Sequence, residues 1–350
     1  MIDYSQYSLW NFCPWAWYER YILQRQLQYV GQRSDPLCLG SLVHNGLDNF
    51  ARAGVPEIDE VTTREMNPTP DALKLAHTML LGYMRRYPAE LWPVERSEQP
   101  LLFPIDNDFE GRGGLQGLAK LDGYFYVPQD TTIESGIPGY TLTLSRGWWA
   151  KEYKTKAFGR RRADWIKEWQ SKRQADFQML ALQHMIEERP RHRIDDITVQ
   201  GVLVRVLEKP HEYTPMRKCK ACGESSELMS FVALAEGYAC PLCGRAQAVT
   251  PYAPKVPKTP DYFSLLVTRQ PERLAIAKQE ILNVAIAMQR AYDDPSSMIP
   301  NRDACVNNIH HRECEYFGPH TYGNLGDTRG DNGYVTINAT AYIGLAEVTE

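Results

Sequence analysis

The sequence predicts an α/β fold in which a mixed β-sheet is flanked by helices and a small cysteine-bearing module is inserted late in the chain. Three observations carry this expectation. Apolar residues recur at helical spacing in the N-terminal hundred residues and again after residue 270, β-forming runs fill most of 101–153, and two Cys-x2-Cys pairs interrupt the chain before its last strand. With 350 residues the chain can bury a substantial core as one large domain or two modest ones.

The elements follow in order. Residues 4–23 read as an aromatic helix, with Ser8 a candidate N-cap and Tyr18 and Tyr21 on one stripe around Cys13-Pro14. Leu39, Val43, Leu47 and Phe50 mark a second helix that Gly54 stops, and a third spans 71–87. Strands are expected at 101–105, 115–127, 141–144 and 148–153, with turns at 106–108 and 135–139. A basic stretch precedes a helix over 175–187, whose face carries Gln174, Gln178 and Gln183, and 197–207 reads as a strand. After the cysteine module and a proline-rich linker, 251–260, the core resumes with a strand at 262–267 and an amphipathic helix over 272–292. The last thirty residues are polar and glycine-rich.

Composition narrows the function classes. The net charge of −4 points to no nucleic-acid partner, yet Lys151, Lys154, Lys156, Arg160, Arg161, Arg162, Lys167, Lys172 and Arg173 crowd one short interval, which suits a local basic groove. No apolar run reaches the roughly 20 residues of a membrane span, and the N-terminus lacks a signal peptide's pattern, so a cytoplasmic protein without a membrane partner is expected. No Gly-x4-Gly-Lys-Ser/Thr loop is present, so no ATPase engine is expected. In a reducing compartment the eight cysteines suit metal binding or free thiols better than disulfides.

Chemistry concentrates in two places. In an extended strand, Glu152 and Lys154 project together while Trp149 and Tyr153 pack on the other side. With Asp122, thirty residues upstream of Glu152 in another strand-like segment, they would give two carboxylates and a lysine at one end of a sheet. Such a set suits a hard divalent cation that binds a phosphate and lowers the pKa of a water, which is phosphodiester hydrolysis. Taken alone, Glu-x-Lys is often just solvated charge on an exposed strand. The second place is Cys219-x2-Cys222 and Cys240-x2-Cys243, seventeen residues apart, each pair followed by glycine. Four thiolates at this spacing suit tetrahedral Zn²⁺ in a ribbon that needs the metal to fold, a redox pair being the alternative. His44, beside an apolar stripe, is by itself most often a hydrogen-bonded core residue.

Together these pieces resemble the RecB-like branch of the PD-(D/E)XK nucleases, which includes CRISPR-associated adaptation nucleases, the AddB nuclease domain and phage exonucleases. The resemblance covers most of residues 4–320 outside the cysteine module. It rests on Cys13-Pro14, Gly40 to His44, Gly117 to Asp122, Glu152-Tyr153-Lys154-Thr155 and Gln178 in that order. It implies a restriction-endonuclease-like core in which His44, Asp122 and Glu152 hold Mg²⁺ or Mn²⁺, with His44 favouring the softer Mn²⁺. Lys154 would orient the attacking water and Gln178 would position lysine or phosphate.

Two positions depart from the family: Leu182 stands where a tyrosine follows the glutamine by four, and His320 stands where a fourth cysteine would join Cys13, Cys305 and Cys314. The resemblance implies a 4Fe-4S cluster at these last four residues, with zinc the alternative.

The functional expectation is a metal-dependent DNA exonuclease acting on single strands or ends, in recombination, repair or CRISPR-type processing. Its partners would be DNA and a helicase, recombinase or single-strand-binding protein. Lys156, Arg160, Arg161, Arg162, Lys172 and Arg173 would line the strand channel with the N-terminal aromatics. The rival expectation is a catalytically inactive nucleic-acid-binding scaffold. The expected organisation is a helical region over 1–100 contributing Cys13 and His44, a nuclease core over 101–210, a zinc ribbon over 211–258, core completion with the Cys/His cluster over 259–320, and a tail over 321–350.

Overall fold

In the computed structural model the described residues are 1–27, 35–88, 92, 94, 99–108, 111, 114–156, 161–188, 198–210, 260–299, 334–336 and short pieces of 216–247. The chain begins with β1 (Ile2–Asp3), α1 (Tyr4–Phe12), α2 (Pro14–Trp17), a π-helical turn (Tyr18–Ile22) and β2 (Arg25–Leu27). Helices α3 (Asp35–Ala53), α4 (Glu60–Met66) and α5 (Pro70–Arg86) follow. Six strands come next: β3 (Gln99–Asp106), β4 (Leu115–Leu121), β5 (Gly123–Val127), β6 (Thr131–Glu134), β7 (Thr141–Leu144) and β8 (Gly147–Lys156). Then come α6 (Arg162–Ser171), α7 (Arg173–Glu188) and β9 (Val199–Glu208). The cysteine module holds β10 (Met216–Lys218), β11 (Ser225–Glu227), β12 (Val232–Leu234), β13 (Gly237–Ala239) and β14 (Ala246–Gln247). The chain continues through β15 (Asp261–Thr268), α8 (Pro271–Asp293) and β16 (Tyr334–Thr336). Among the described residues no helix is long and apolar enough to cross a membrane.

The fold is mixed α/β with mixed sheets flanked by helices. The main sheet has the order β15-β9-β8-β5, with β8 and β9 parallel and the outer pairs antiparallel. A second sheet has the order β1-β4-β3. The central strand β8 is buried on both faces, as a strand covered by two layers must be.

On one face of the main sheet, Ala150, Val202, Val204 and Phe263 pack against Trp165 and Trp169 of α6 and Ala175, Met179 and Leu182 of α7. On the other, Tyr153, Leu207 and Tyr262 meet Leu39, Val43 and Leu47 of α3 and Ala76, Leu80 and Tyr83 of α5. Helix α7 also turns Phe177 and Ala181 toward the second sheet and α8, so it is apolar on opposite sides. That dual burial fixes α7 as the wall between two cores.

Three sequence expectations need correction. Ser8 does not cap the first helix; Asp3 does, accepting from the Gln6 N–H at 2.7 Å. The aromatic segment breaks at Cys13, which is extended (φ −159°, ψ 113°), because a residue before proline is pushed out of the α region. The strand read as 115–127 is two strands in different sheets, parted at Asp122. Elements that escaped the sequence reading include β1, β2, α4, β6, α6 and the short β16, which pairs antiparallel with β2 and so brings the tail to the N-terminal segment.

Candidate metal centre

The antiparallel register of β5 and β8 pairs Gly123 with Lys151, and extending it by one residue sets Asp122 opposite Glu152. The chain turns at Asp122 because its Oδ2 accepts the Tyr153 backbone N–H at 2.7 Å, a bond that replaces a ladder contact and fixes the carboxylate. From the other side α3 supplies His44, whose Nδ1 lies 3.5 Å from Asp122 Oδ1. The imidazole stands edge-on to the Tyr153 ring, 6.5 Å between centroids.

Glu152 points the opposite way from Tyr153, toward α7. Its Oε1 pairs with Lys154 Nζ and accepts from Gln174 Nε2 at 2.8 Å, while Oε2 accepts from Gln178 Nε2 at 2.5 Å. The Lys154 ammonium also sits 5.6 Å from the centroid of the buried Trp169 ring. Gln178 keeps its own Oε1 buried without a donor among the described residues. An acceptor orphaned beside a carboxylate is costly unless something with protons or positive charge occupies the gap.

The electrostatics reinforce this picture. Burial raises the Glu152 carboxyl and the neighbouring Asp122 charge raises it further, with Lys154 offsetting only part. Burial would raise Asp122 too, but His44, then Lys154 and the Tyr153 amide, bring it below its ordinary value. Burial works against charge on both His44 and Lys154, yet the carboxylates hold each above its ordinary value. Two buried carboxyls whose surroundings shift them in opposite directions are a functional-site signature, and a cation beside Glu152 would offset the burial and the Asp122 charge that raise it. Two carboxylates and an imidazole are donors of the kind that divalent metals take, but His44, Asp122 and Glu152 do not bring their ligand atoms within 4.8 Å of one another, as the cysteine group described below does.

The structure thus brings His44, Asp122, Glu152, Lys154 and Gln178 together. Gln174 also belongs to this cluster and was not singled out from sequence; its place one helical turn before Gln178 was the available signal.

Within the basic interval, Lys156 is a correction. Lys156 is buried and bonds Glu208 at 3.1 Å, because it points inward from β8 like Glu152 and Lys154. Arg162 bridges Glu208 and Asp261, Arg173 pairs with Asp176 and Glu280, Lys172 with Glu168 at 3.3 Å, and the exposed Arg161 with Asp164 at 2.8 Å. Acids from β9, β15, α6, α7 and α8 therefore neutralise the stretch that the sequence offered as a groove lining. Arg160 lies outside the described residues.

A second cluster lies in the inserted module. Thiol sulfurs of Cys222, Cys240 and Cys243 all fall within 4.8 Å of one another, a group that could hold a metal such as zinc. Gly244 makes the tight turn at φ +67°, its N–H reaching the Cys240 carbonyl at 2.9 Å. Cys219 lies outside the described residues, as do Cys305, Cys314 and His320; Cys13 is fully buried. No protein-family model matches the chain, and no curated protein matches it closely enough to count as a relative.

Proposed function

We propose that this protein is a divalent-metal-dependent DNA nuclease of the RecB-like PD-(D/E)XK class, with a zinc ribbon inserted in its core. One observation carries the reading: His44, Asp122, Glu152 and Lys154, far apart in sequence, converge at one edge of a mixed sheet, with the glutamines of α7 closing the site. When bound there, Mn²⁺ or Mg²⁺ would bind the scissile phosphate and acidify a water.

The protein's own groups do the rest. Asp122 and Glu152 hold the cation with His44. Lys154, kept charged by the two carboxylates, orients the attacking water and offsets charge developing on the phosphate. Gln178 offers its spare carbonyl as an acceptor for a proton in the same niche. DNA would be the substrate, delivered by a helicase, recombinase or single-strand-binding protein.

The test is a time course on end-labelled single- and double-stranded DNA in Mn²⁺, Mg²⁺ or EDTA. Cleavage should require metal and fall at least 1000-fold in Glu152→Ala and Lys154→Ala, the scale of losing a group that stabilises only the transition state. Tight DNA binding without cleavage in either metal would favour the scaffold reading, which the burial of Leu182 at the family's tyrosine position also favours.

A further inference from the structure

We infer that Gln174 is a positioning residue that holds one oxygen of Glu152 and so fixes the orientation of the carboxylate that would meet the cation. The inference rests on reading the site as a metal centre. It follows from counting acceptor capacity. Each carboxylate oxygen accepts about two hydrogen bonds. Among the described residues, Oε1 takes both Gln174 Nε2 and Lys154 Nζ, which fills it, whereas Oε2 takes Gln178 Nε2 alone.

The two glutamines are one helical turn apart, so their amides lie one above the other on the face of α7 that meets β8. They grip a single carboxylate like two fingers and fix its plane. The helix is itself anchored between them. Asp176, fully buried, accepts from Arg173 at 2.8 Å and from Arg269, just beyond β15, at 2.6 Å. The first turn of α7 therefore cannot slide along the sheet without breaking a buried ion cluster. Without Gln174, Oε1 keeps Lys154 alone among the described groups, and the carboxylate is freer to swing about its last bond. Groups that orient a ligand through such bonds typically alter metal affinity 10- to 100-fold when removed.

The experiment titrates Mn²⁺ into the whole protein by calorimetry and scores the binding that Glu152→Ala abolishes. Gln174→Met keeps the length of the side chain without its donor; Gln174→Asn keeps the amide but withdraws it by a methylene. Gln174 is half-buried in the first turn of a helix, so both variants should fold, which melting temperature verifies. Both should bind Mn²⁺ 10- to 100-fold more weakly with unchanged melting, and cleavage should recover as Mn²⁺ is raised. Affinity within twofold of wild type in both folded variants overturns the role of Gln174 and leaves the metal centre standing. Wild type that binds no more Mn²⁺ than Glu152→Ala overturns the centre and this inference together.

Discussion

Asp122 and His44 form a pair whose charges reinforce each other, each moving the other in the direction that keeps it charged, and they titrate from opposite ends. His44 is raised above its ordinary value of about 6.5, so its contribution to stability is full below that pH and is lost as pH rises through the raised value. Asp122 is lowered, so its contribution is present above its ordinary value of about 3.9 and is lost as pH falls through the lowered one. The window of full stabilisation therefore runs from about pH 4 to about pH 6.5. Without added metal, His44→Ala should be less stable than wild type by about 1–2 kcal/mol at pH 5.5, a charged hydrogen bond's worth, and the gap should close toward pH 9. Urea melts across this range check it; a gap constant with pH would mean that His44 acts by packing alone. At this scale the sequence was informative about which residues matter and silent about how they are held. The spacing of Glu152 and Lys154 predicted their shared face, because alternation in a strand is local. Gln174 shared a helical face with Gln178, but its bond to Glu152 depends on where α7 crosses β8, which no local pattern encodes.

Helices with one apolar stripe, such as α3 and α5, were legible because their periodicity is strong. Helix α6 was not, since Trp165 and Trp169 are its main apolar anchors among charges that read as a solvated run. The same blindness made Lys156 look like a DNA contact. Its carboxylate partner sits fifty-two residues away on β9, and only the parallel register, which pairs Lys156 with Glu208 directly, reveals them as a buried pair. Arg162 then ties that carboxylate to Asp261 on β15, so three strands and α6 share one ion cluster. The cluster predicts an asymmetry. Glu208→Ala takes from a buried ammonium the carboxylate beside it and should cost about 3–5 kcal/mol. Lys156→Met leaves Glu208 with Arg162 and fills the same space with an apolar chain, so it should cost about 1 kcal/mol or less. Equal losses in chemical denaturation would mean that the pair contributes packing and no charge. Were Lys156 a DNA contact instead, Lys156→Met would weaken DNA binding at unchanged stability.

Across the whole molecule, the inserted module enters and leaves through a single doorway. Strands β9 and β15 pair along their full length, and the last pair is Glu208 with Asp261, so the two ends of the insertion leave from adjacent positions that Arg162 clamps together. An insertion with neighbouring ends can be removed without pulling the host strands apart. Under the proposed reading it also meets DNA. Residues 211–258 hold six Lys or Arg against four Glu, and although four thiolates around Zn²⁺ would offset that formal excess, these cations remain for phosphate contacts while acids of the core pair with most of its own basic interval. Replacing 211–258 by a two-residue turn should leave the melting temperature within a few degrees of wild type. It should also leave Mn²⁺ binding intact, because β8, α3 and α7 are untouched. DNA affinity should fall at least tenfold, and its dependence on salt should flatten as phosphate contacts are lost. If zinc fills the cysteine site, as proposed, chelating it should reproduce the loss of affinity, since a ribbon of this size does not hold its shape without its metal. A shortened protein that melts normally and binds DNA as tightly as the parent, with the same salt slope, would return the substrate-binding surface to the core.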